Sequence, residues 1–392
     1  MNNGMYLGMR RILLAGGAAL SLVGMTVIPA SASATKSSAS ATKSVKSCHS
    51  ANGVKITDPL VCKGLAFYKG KTMNFISPGS VGGPFDLQVE GEIPSMQAFL
   101  GATINETRIT TGNTITGQDA LAAAAPDGLT IGLLNSLEDA VLILEHQPGI
   151  NFNPYRMAYL SGTNALPMVL MALPNKGYKT FADWMAAAKR GSLKMVTQAT
   201  GSENTVFRTV AAATGGITSA NSPAWVSGYT KLTDEITGFL RDDAPVGYLN
   251  LSNTCNILQS KQAVPLAINE IPAVGTSCRN LLVHVPTFAD IATKYAKTSA
   301  QKTLFATAQA MNALTGNPTV TQTSVSGYKI AALRAALQWT YKQPSFKQLM
   351  LNNGIGSEYI DPIAAKQLYE TAVKFGKTVV CYINSADACA KA

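Results

Sequence analysis

The sequence predicts an α/β protein with two lobes, and three observations lead to that fold class. Strand-like and helix-like segments alternate from about Leu65 onward, which is typical of layered α/β proteins with mostly parallel sheets. A strand, a Gly/Ser-rich loop and a helix follow one another twice, near Asn74 and near Leu193. Beyond Ser299 the pattern is strongly helical, as expected for helices that pack on a sheet.

Residues 1–34 are predicted to be a secretory signal peptide. Arg10 and Arg11 precede the apolar run Ile12–Ile28, and the small residues of Ala30–Ala34 suit cleavage by signal peptidase. The alternative is an N-terminal anchor that is not cleaved. We expect export to the periplasm, or to the extracellular side of the cell envelope.

Residues 35–65 are predicted to be a flexible tether, because the sequence up to Ser50 is rich in Ser, Ala, Thr and Lys. The rest is divided into lobe 1 (residues 66–170 and 270–392) and lobe 2 (residues 171–269). Extended segments near residues 246–251 and 265–268 could return the chain to the first lobe. We therefore expect crossing strands between the lobes and a ligand cleft between them.

The first unit contains the short apolar strand Met73–Ile76, the loop Ser77–Asp86 and a helix-like run to Leu100. Such a turn presents backbone N–H groups and the positive end of a helix dipole, an arrangement that suits an anion. A second apolar strand, Leu129–Leu134, follows further along the chain.

The second unit has the strand Leu193–Thr197, the loop Gln198–Asn204 and a helix from Thr205. The repetition predicts two lobes that each offer a helix N-terminus to one cleft. A duplicated α/β unit with unrelated loops remains the alternative. Residues Thr180-Asp183 and Thr287-Asp290 each predict a capping box at a helix start.

The six cysteines contain no CxxC pair and no spacing typical of a metal site, so no metal is expected. An even number of cysteines in an exported protein indicates disulfides, and six allow 15 pairings. Nearest-neighbour pairing is preferred because each bond closes a short loop; buried free thiols are the alternative. The preferred pairs are Cys48–Cys62, Cys255–Cys278 and Cys381–Cys389.

The formal charge is +10, and the 30 basic and 22 acidic residues that remain without Arg10 and Arg11 give +8. Basic residues are scattered and form no arginine-rich helix, so nucleic acid is not an expected partner. A positive surface would favour anionic ligands, although it could serve solubility alone.

No motif of the sequence indicates an enzyme. The three histidines have no helical partner histidine, no GxSxG elbow occurs, and no GxGxxG or well-spaced P-loop is present. We therefore expect neither catalysis nor a cofactor.

Several short motifs, in their order and spacing, resemble a known family from about Tyr68 to the C-terminus: the receptors of tripartite tricarboxylate transporters, also called Bug-type solute receptors. The resemblance rests on the segments Tyr68–Lys71, Gly82-Gly83 with Asp86, Ala124–Thr130, Val226–Tyr229 and Val285–Asp290. It implies a type II periplasmic-binding-protein fold, in which two α/β lobes are joined by crossing strands around a ligand cleft.

In that family, two loops between a strand and a helix, one from each lobe, grip a carboxylate. The resemblance assigns the first loop to Ser80, Val81, Gly82, Gly83 and Asp86, and the second to Ala199, Thr200, Gly201, Ser202 and Asn204. Asn135 and Ser136 are cleft candidates by their position after a strand. Glycines permit close backbone approach to a ligand, in agreement with this assignment.

The sequence departs from the family at two places. The Thr111–Gly117 segment has fewer glycines than the corresponding family motif, and Glu203 lies in the second loop, where small residues or proline are usual. A carboxylate at position 203 would repel an anion unless it faces away or meets an ammonium group.

The resemblance implies an exported solute-binding protein that captures a small carboxylate-bearing metabolite and delivers it to the membrane permease subunits of a tripartite tricarboxylate-type transporter. We expect a monomer that binds a small organic acid. The alternative is a ligand sensor or a cell-envelope interaction protein that keeps the fold without a transport role.

Overall fold

The fold is described from a computed structural model over residues 47–111, 114–144, 150–197, 202–215, 224–229, 232–313 and 316–384. The predicted signal peptide and residues 35–46 of the predicted tether lie outside this part of the chain. The same holds for Cys389 and for most of the second predicted loop, Ala199–Gly201.

The described strands form two sheets and one hairpin. The strands are β1 (Cys48–His49), β2 (Lys55–Ile56), β3 (Thr72–Ser77), β4 (Thr103–Arg108), β5 (Thr130–Leu133), β6 (Met157–Thr163), β7 (Met168–Ala172), β8 (Lys194–Val196), β9 (Ala224–Val226), β10 (Val246–Asn250), β11 (Val264–Ile268), β12 (Thr319–Gln322) and β13 (Tyr359–Ile360). The larger sheet has the order β13-β6-β12-β5-β3-β4 and the smaller one has the order β11-β7-β10-β8-β9.

Each sheet combines parallel and antiparallel neighbours. In the larger sheet β3 runs parallel to β4 and β5, whereas β12 runs antiparallel to β5 and β6. In the smaller sheet β8 runs parallel to β9 and β10, whereas β7 runs antiparallel to β10 and β11. The predicted α/β class is therefore confirmed, whereas the expectation of mostly parallel sheets is wrong, because β7 and β12 pair antiparallel with both of their neighbours.

Helices connect and cover these strands. They are α1 (Pro59–Tyr68), α2 (Pro84–Leu100), α3 (Ile115–Ala123), α4 (Ser136–Leu144), α5 (Phe181–Lys189), α6 (Ser202–Gly215), α7 (Leu232–Leu240), α8 (Leu251–Gln259), α9 (Arg279–Leu282), α10 (Phe288–Tyr295), α11 (Ser299–Asn312), α12 (Gly327–Thr340), α13 (Pro344–Asn352) and α14 (Pro362–Asn384). The predicted helical run beyond Ser299 is confirmed by α11–α14. Thr180 and Thr287 form the predicted capping boxes with Asp183 and Asp290.

Burial on both faces explains the continuous apolar strands. All five residues of β7 are buried, and alternate residues enter different clusters: Leu170 packs near Trp184 and Phe207, whereas Val169 packs near Phe239. Successive side chains of a strand point to opposite faces, so this sheet is covered by helices on both sides.

The strands divide between the sheets close to the predicted lobe boundaries. The larger sheet uses strands from residues 66–170 and 270–392, and β8–β11 lie within residues 171–269. Strand β7 spans the expected boundary at residue 170. The division into lobes at these boundaries stays a prediction.

The predicted tether is too long, because residues 47–65 are folded. Strands β1 and β2 pair as a hairpin, and α1 begins at Pro59 with Asp58 as its cap. Val61 and Leu65 are buried in the core of the larger sheet. The Ser/Ala/Thr/Lys-rich composition up to Ser50 gave no sign of this folded segment, because a disulfide joins the hairpin to α1 and the hairpin has no large apolar core of its own.

Two of the preferred disulfides are present. Cys48 bonds Cys62, and Cys255 bonds Cys278. Cys381 lies in α14, and its predicted bond to Cys389 stays a prediction because Cys389 is outside the described residues. Among the helices of the described residues, none combines the length and the apolar character needed to span a bilayer.

Candidate functional site

The loop after β3 and the residues after β5 lie at one edge of the larger sheet. The two strands are parallel neighbours, with Ile76 opposite Gly132, so both end at the same edge. Open α/β sheets bind ligands beyond the carboxyl ends of their strands. The structure thus brings Ser80–Gly83 and Asn135-Ser136 to one edge of the sheet.

Two glycines shape the loop between β3 and α2. Gly82 has φ +72°, a backbone conformation that residues with a Cβ rarely adopt. A Cβ on Gly79 would lie 2.6 Å from the Cβ of Phe85, so the loop can fold over this ring only without a side chain there.

The loop uses two of its own backbone amides and leaves others without an internal partner. The Gly82 N–H donates to Asp86 Oδ2 at 2.8 Å, and the Gly83 N–H donates to the Ser80 carbonyl at 3.0 Å. Within the part of the chain that is described, the amides of Ser80 and Val81 donate to no other residue. The Val81 side chain is 73% exposed at the tip of the loop.

Asp86 holds the loop in place. Its side chain is 1% exposed, and one oxygen accepts from Gly82 while the other accepts from the Arg108 Nε–H. Both carboxylate oxygens are therefore engaged within the protein. This geometry favours a positioning role for Asp86, and its direct contact with a ligand stays a prediction.

Arg108 ends β4 beside three carboxylates. Besides Asp86, its Nη2 contacts Glu106 Oε2 at 2.6 Å and Glu90 Oε1 at 3.2 Å. Oxygens of these three acids lie within 4.8 Å of one another, a spacing that could hold a metal ion. The guanidinium contacts all three, so it already supplies the cation that the group requires. Burial, followed by the nearby Asp86, raises the pKa of Glu106 to about 7.

Asn135 is held by Gln118 of α3 and by Thr114, the N-cap residue of this helix. The Asn135 N–H donates to Gln118 Oε1 at 3.1 Å, and Asn135 Nδ2 donates to Thr114 Oγ1 at 3.5 Å. Gln118 is buried and also donates to Thr114 Oγ1. Ser136 is buried as the first residue of α4. These contacts fix the strand end after β5.

Helix α3 begins directly against the loop. A Cβ on Gly117 would lie 3.2 Å from the Pro78 Cα and 2.9 Å from the Ile109 carbonyl oxygen. Glycine at this position therefore permits the close approach of α3 to the loop. The site edge is built from the ends of β3, β4 and β5 and from the start of α3.

Asp139 lies one turn into α4 and is fully buried. Burial raises the pKa of its carboxyl well above the usual range, which favours the protonated form. The protonated form places less negative charge behind the strand ends than a carboxylate would.

The second predicted loop is described only at its end. Ala199, Thr200 and Gly201 lie outside the described residues, whereas Ser202 and Asn204 lie in the first turn of α6. The loop follows β8, which has parallel neighbours on both sides. The order of strand, loop and helix is the same as at the first loop.

The sequence did not indicate Arg108, Thr114, Gln118 or Asp139. Arg108 reaches Asp86 because Ser77 of β3 lies opposite Arg108 of β4, a register that no local motif reveals. The signal that could have pointed to it is a basic residue at the end of a strand next to an acidic residue in the first turn of a helix.

One family model matches the chain. The model described as tripartite tricarboxylate transporter family receptor matches residues 90–220, about a third of the sequence. No curated protein matches the chain.

Solved structures share the fold over most of the chain. The periplasmic binding protein BugD is 16% identical, covers 80% of this chain and 98% of its own, and has a TM-score of 0.60. MatC from Rhodopseudomonas palustris with bound malate is 14% identical over 79% and 99% of the two chains, with a TM-score of 0.61. A further R. palustris protein, Rpa4515 with adipate, is 13% identical over 80% and 97%, with a TM-score of 0.63.

These likenesses confirm the predicted type II periplasmic-binding-protein fold. The family match and the shared fold together confirm the similarity, predicted from the sequence motifs, of this chain to the receptors of the tripartite tricarboxylate transporter family.

Proposed function

We propose that the protein is an exported receptor that binds a small carboxylate-bearing metabolite and delivers it to a tripartite tricarboxylate-type membrane transporter. The observation that carries the proposal is the Gly-rich loop Pro78–Gly83, which joins β3 to the N-terminus of α2 at the sheet edge. The match to the receptor family supports it. Two structures of the same fold contain malate and adipate, which are both small carboxylates.

The first loop can hold a carboxylate without a buried basic side chain of its own. The amides of Ser80 and Val81 are available to an acceptor, and the positive end of the α2 dipole lies directly behind them. The Gly82 and Gly83 amides keep the loop folded through Asp86 and Ser80. We assign contact with the ligand to Ser80–Gly83, and support of the loop to Asp86.

The α2 dipole, rather than a surplus of basic side chains, suits an anion at this edge, because Arg108 is already shared by Asp86, Glu90 and Glu106. Arg108 pairs with Asp86, and burial raises the pKa of Asp139, which favours its protonated form. Asn135 and Ser136 remain our candidates for polar contacts from the neighbouring strand end.

The second half of the grip is assigned to Ala199–Ser202 and Asn204, at the start of α6. Glu203 lies in the same turn. An amino acid would offer both a carboxylate for the helix N-terminus and an ammonium group for Glu203. Amino acids therefore belong in any ligand screen beside the dicarboxylates.

A thermal-shift screen of the exported chain tests the proposal. The panel contains malate, adipate, citrate, aspartate, glutamate and benzoate, with the matching alcohols or amides as uncharged controls. A ligand present at about 100 times its dissociation constant raises the unfolding free energy by about 2.7 kcal/mol, a shift that such a screen detects. If no carboxylate raises the melting temperature, the receptor function is wrong.

A matched pair of glycine variants tests the site. Gly82 and Gly191 have φ +72° and +70°, and a Cβ on either would meet no other atom within 4 Å. Both Gly82→Ala and Gly191→Ala should therefore cost about 1 kcal/mol of stability through backbone strain alone. We expect only Gly82→Ala to weaken carboxylate binding, since Gly191 lies after α5. Equal binding by both variants would remove the first loop from the site.

We further propose that the receptor is a monomer without enzymatic activity, whose partner is the permease. Co-purification from envelope membranes separates this from the alternative role. Recovery with a permease supports delivery to a transporter, whereas recovery with a sensor kinase or with cell wall supports a sensor or envelope protein.

A further inference from the structure

A pocket of about 580 Å³ lies where the chain passes between the two sheets. Its wall includes Asn164-Ala165 between β6 and β7, Asn269–Ile271 after β11, and Asn312-Ala313 at the C-terminal end of α11. Its volume falls in the range of about 300–1,000 Å³ that is usual for small-molecule sites. None of the described residues of the proposed carboxylate site lines it.

Most of the pocket wall is apolar. The side chains come from α6, α10, α11, β13 and α14, and include Val210, Phe288, Ala308, Ile360 and Leu368. Such a wall accepts a hydrocarbon body and gains free energy as water leaves it.

The asparagines of the wall are used to hold the fold together. Asn269 Oδ1 accepts from the Met168 N–H at 2.8 Å, and its Nδ2 donates to the Leu166 carbonyl at 2.7 Å and to Asn312 Oδ1 at 3.0 Å. Asn164 Oδ1 accepts from the Glu358 N–H at 3.0 Å. These groups therefore fix the shape of the pocket, and are already engaged.

Glu270 is different from the other lining residues. Of the described residues that line the pocket, it alone has a titratable side chain. Its backbone N–H is fixed by Asn269 Oδ1 at 2.8 Å, and its carboxylate has no hydrogen-bond or ion-pair partner among the described residues. Burial raises its pKa to about 7, which shows how poorly the charge is solvated there.

We propose that this pocket is a second binding site, for a small organic cation in which an ammonium group pairs with the Glu270 carboxylate and an apolar body lies against the wall.

Other ligand classes fit the pocket less well. An organic anion would be repelled by Glu270, and a neutral hydrocarbon would leave the carboxylate buried without a partner. A metal ion needs several oxygen ligands, whereas the wall offers a single carboxylate. The amide oxygens of Asn164 and Asn269 already accept hydrogen bonds, and Gln309 is exposed. A primary or secondary amine supplies both the opposite charge and the hydrogen-bond donors.

Titration calorimetry of the full exported chain tests this site with three probes that share one ring: cyclohexylamine, cyclohexanol and cyclohexanecarboxylate. We expect cyclohexylamine to bind at least about tenfold more tightly than the other two, because only it forms a charge-assisted pair. Equal binding of amine and alcohol, or no binding of the amine, would overturn the proposal.

Two variants locate the site. Glu270→Gln should weaken cyclohexylamine binding at least about tenfold, and Glu358→Gln, the same change at an exposed acid outside the pocket, should leave it unchanged. Ala289→Leu narrows the pocket from its exposed side and should weaken binding without altering Glu270. Retained binding in both pocket variants would overturn the proposal.

Carboxylate binding by the same variants keeps the two sites apart. Glu270→Gln should bind the panel carboxylates as the wild type does. Loss of amine binding with retained carboxylate binding therefore concerns this site alone, whereas absence of carboxylate binding in every variant concerns the proposed receptor function.

Discussion

Helix α2 carries two buried acids in different surroundings. Asp86 in its first turn is 1% exposed and contacts the Arg108 guanidinium and the Gly82 amide. Glu92, nearly two turns later, is fully buried and accepts hydrogen bonds from Tyr341 at 2.8 Å and from other neutral donors. The other donors are Gln88, at 2.9 Å, and Thr319, at 3.1 Å.

The difference shows how one helix serves both site and core. Asp86 accepts from the Arg108 guanidinium and from the Gly82 amide, and these contacts clamp the loop before the helix. Burial raises the pKa of Glu92 to about 7, although its three donors act in the opposite direction. Glu92 therefore joins α2 to β12 and to the end of α12, and its raised pKa favours the protonated carboxyl group.

Removing the acid of the loop should have the largest effect. Asp86→Ala leaves the Gly82 amide and the Arg108 guanidinium without their partner, so we expect the free energy of unfolding to fall by about 4 kcal/mol. Urea unfolding measures the change. Asp86→Asn keeps an acceptor of the same shape and serves as the milder comparison; an equal loss in both variants would mean that the charge is what matters.

The acid of the core should make stability depend on pH. The folded pKa of Glu92 is about 7, above the value of 4.5 for a free side chain. Its contribution is therefore fully present below about pH 4.5 and is lost as the pH rises through 7. We expect about 3 kcal/mol less stability at pH 8 than at pH 4.5 from this group.

Glu92→Gln should remove this part of the pH dependence, measured by urea unfolding at several pH values. Glu106 and Glu270, whose pKa values are also raised to about 7, contribute in the same direction, so the difference between wild type and variant is the relevant quantity. The exposed-site variant Glu358→Gln should keep the wild-type profile. A Glu92→Gln profile parallel to the wild type would contradict a raised pKa.

Weakening the core network should have the smallest effect. Tyr341→Phe removes the hydroxyl that donates to Glu92 and that accepts from Gln88 Nε2, while the ring stays packed on Phe346. We expect a loss of about 1.5 kcal/mol, as is usual for one hydrogen bond to a buried polar group. The loss should be smaller in a Glu92→Gln background, which a double-mutant cycle would show.

Local patterns predicted the parts of the fold that depend on neighbours in sequence. The capping boxes at Thr180 and Thr287 each need one residue three positions away, and the loop at Gly82-Gly83 is visible as a run of glycines. The disulfide from Cys48 to Cys62 closes a loop of 14 positions. Each of these features was predicted correctly because the chain decides it locally.

Long-range contacts were not predictable in the same way. Glu92 meets Tyr341 across 249 positions, and Arg108 meets Asp86 only because β4 pairs with β3 in one register. A single sequence carries no sign of either contact. The Glu270 pocket likewise depends on connections that lie far apart along the chain.

Calorimetric titration of the exported chain with malate and adipate tests the central claim most directly, in wild type, Asp86→Asn and Glu92→Gln. We predict that the wild type and Glu92→Gln bind the preferred carboxylate equally, and that Asp86→Asn binds it at least about tenfold more weakly because its loop is no longer clamped by a charged group. Equal affinity in all three proteins would contradict the claim that the Asp86-supported loop holds the carboxylate.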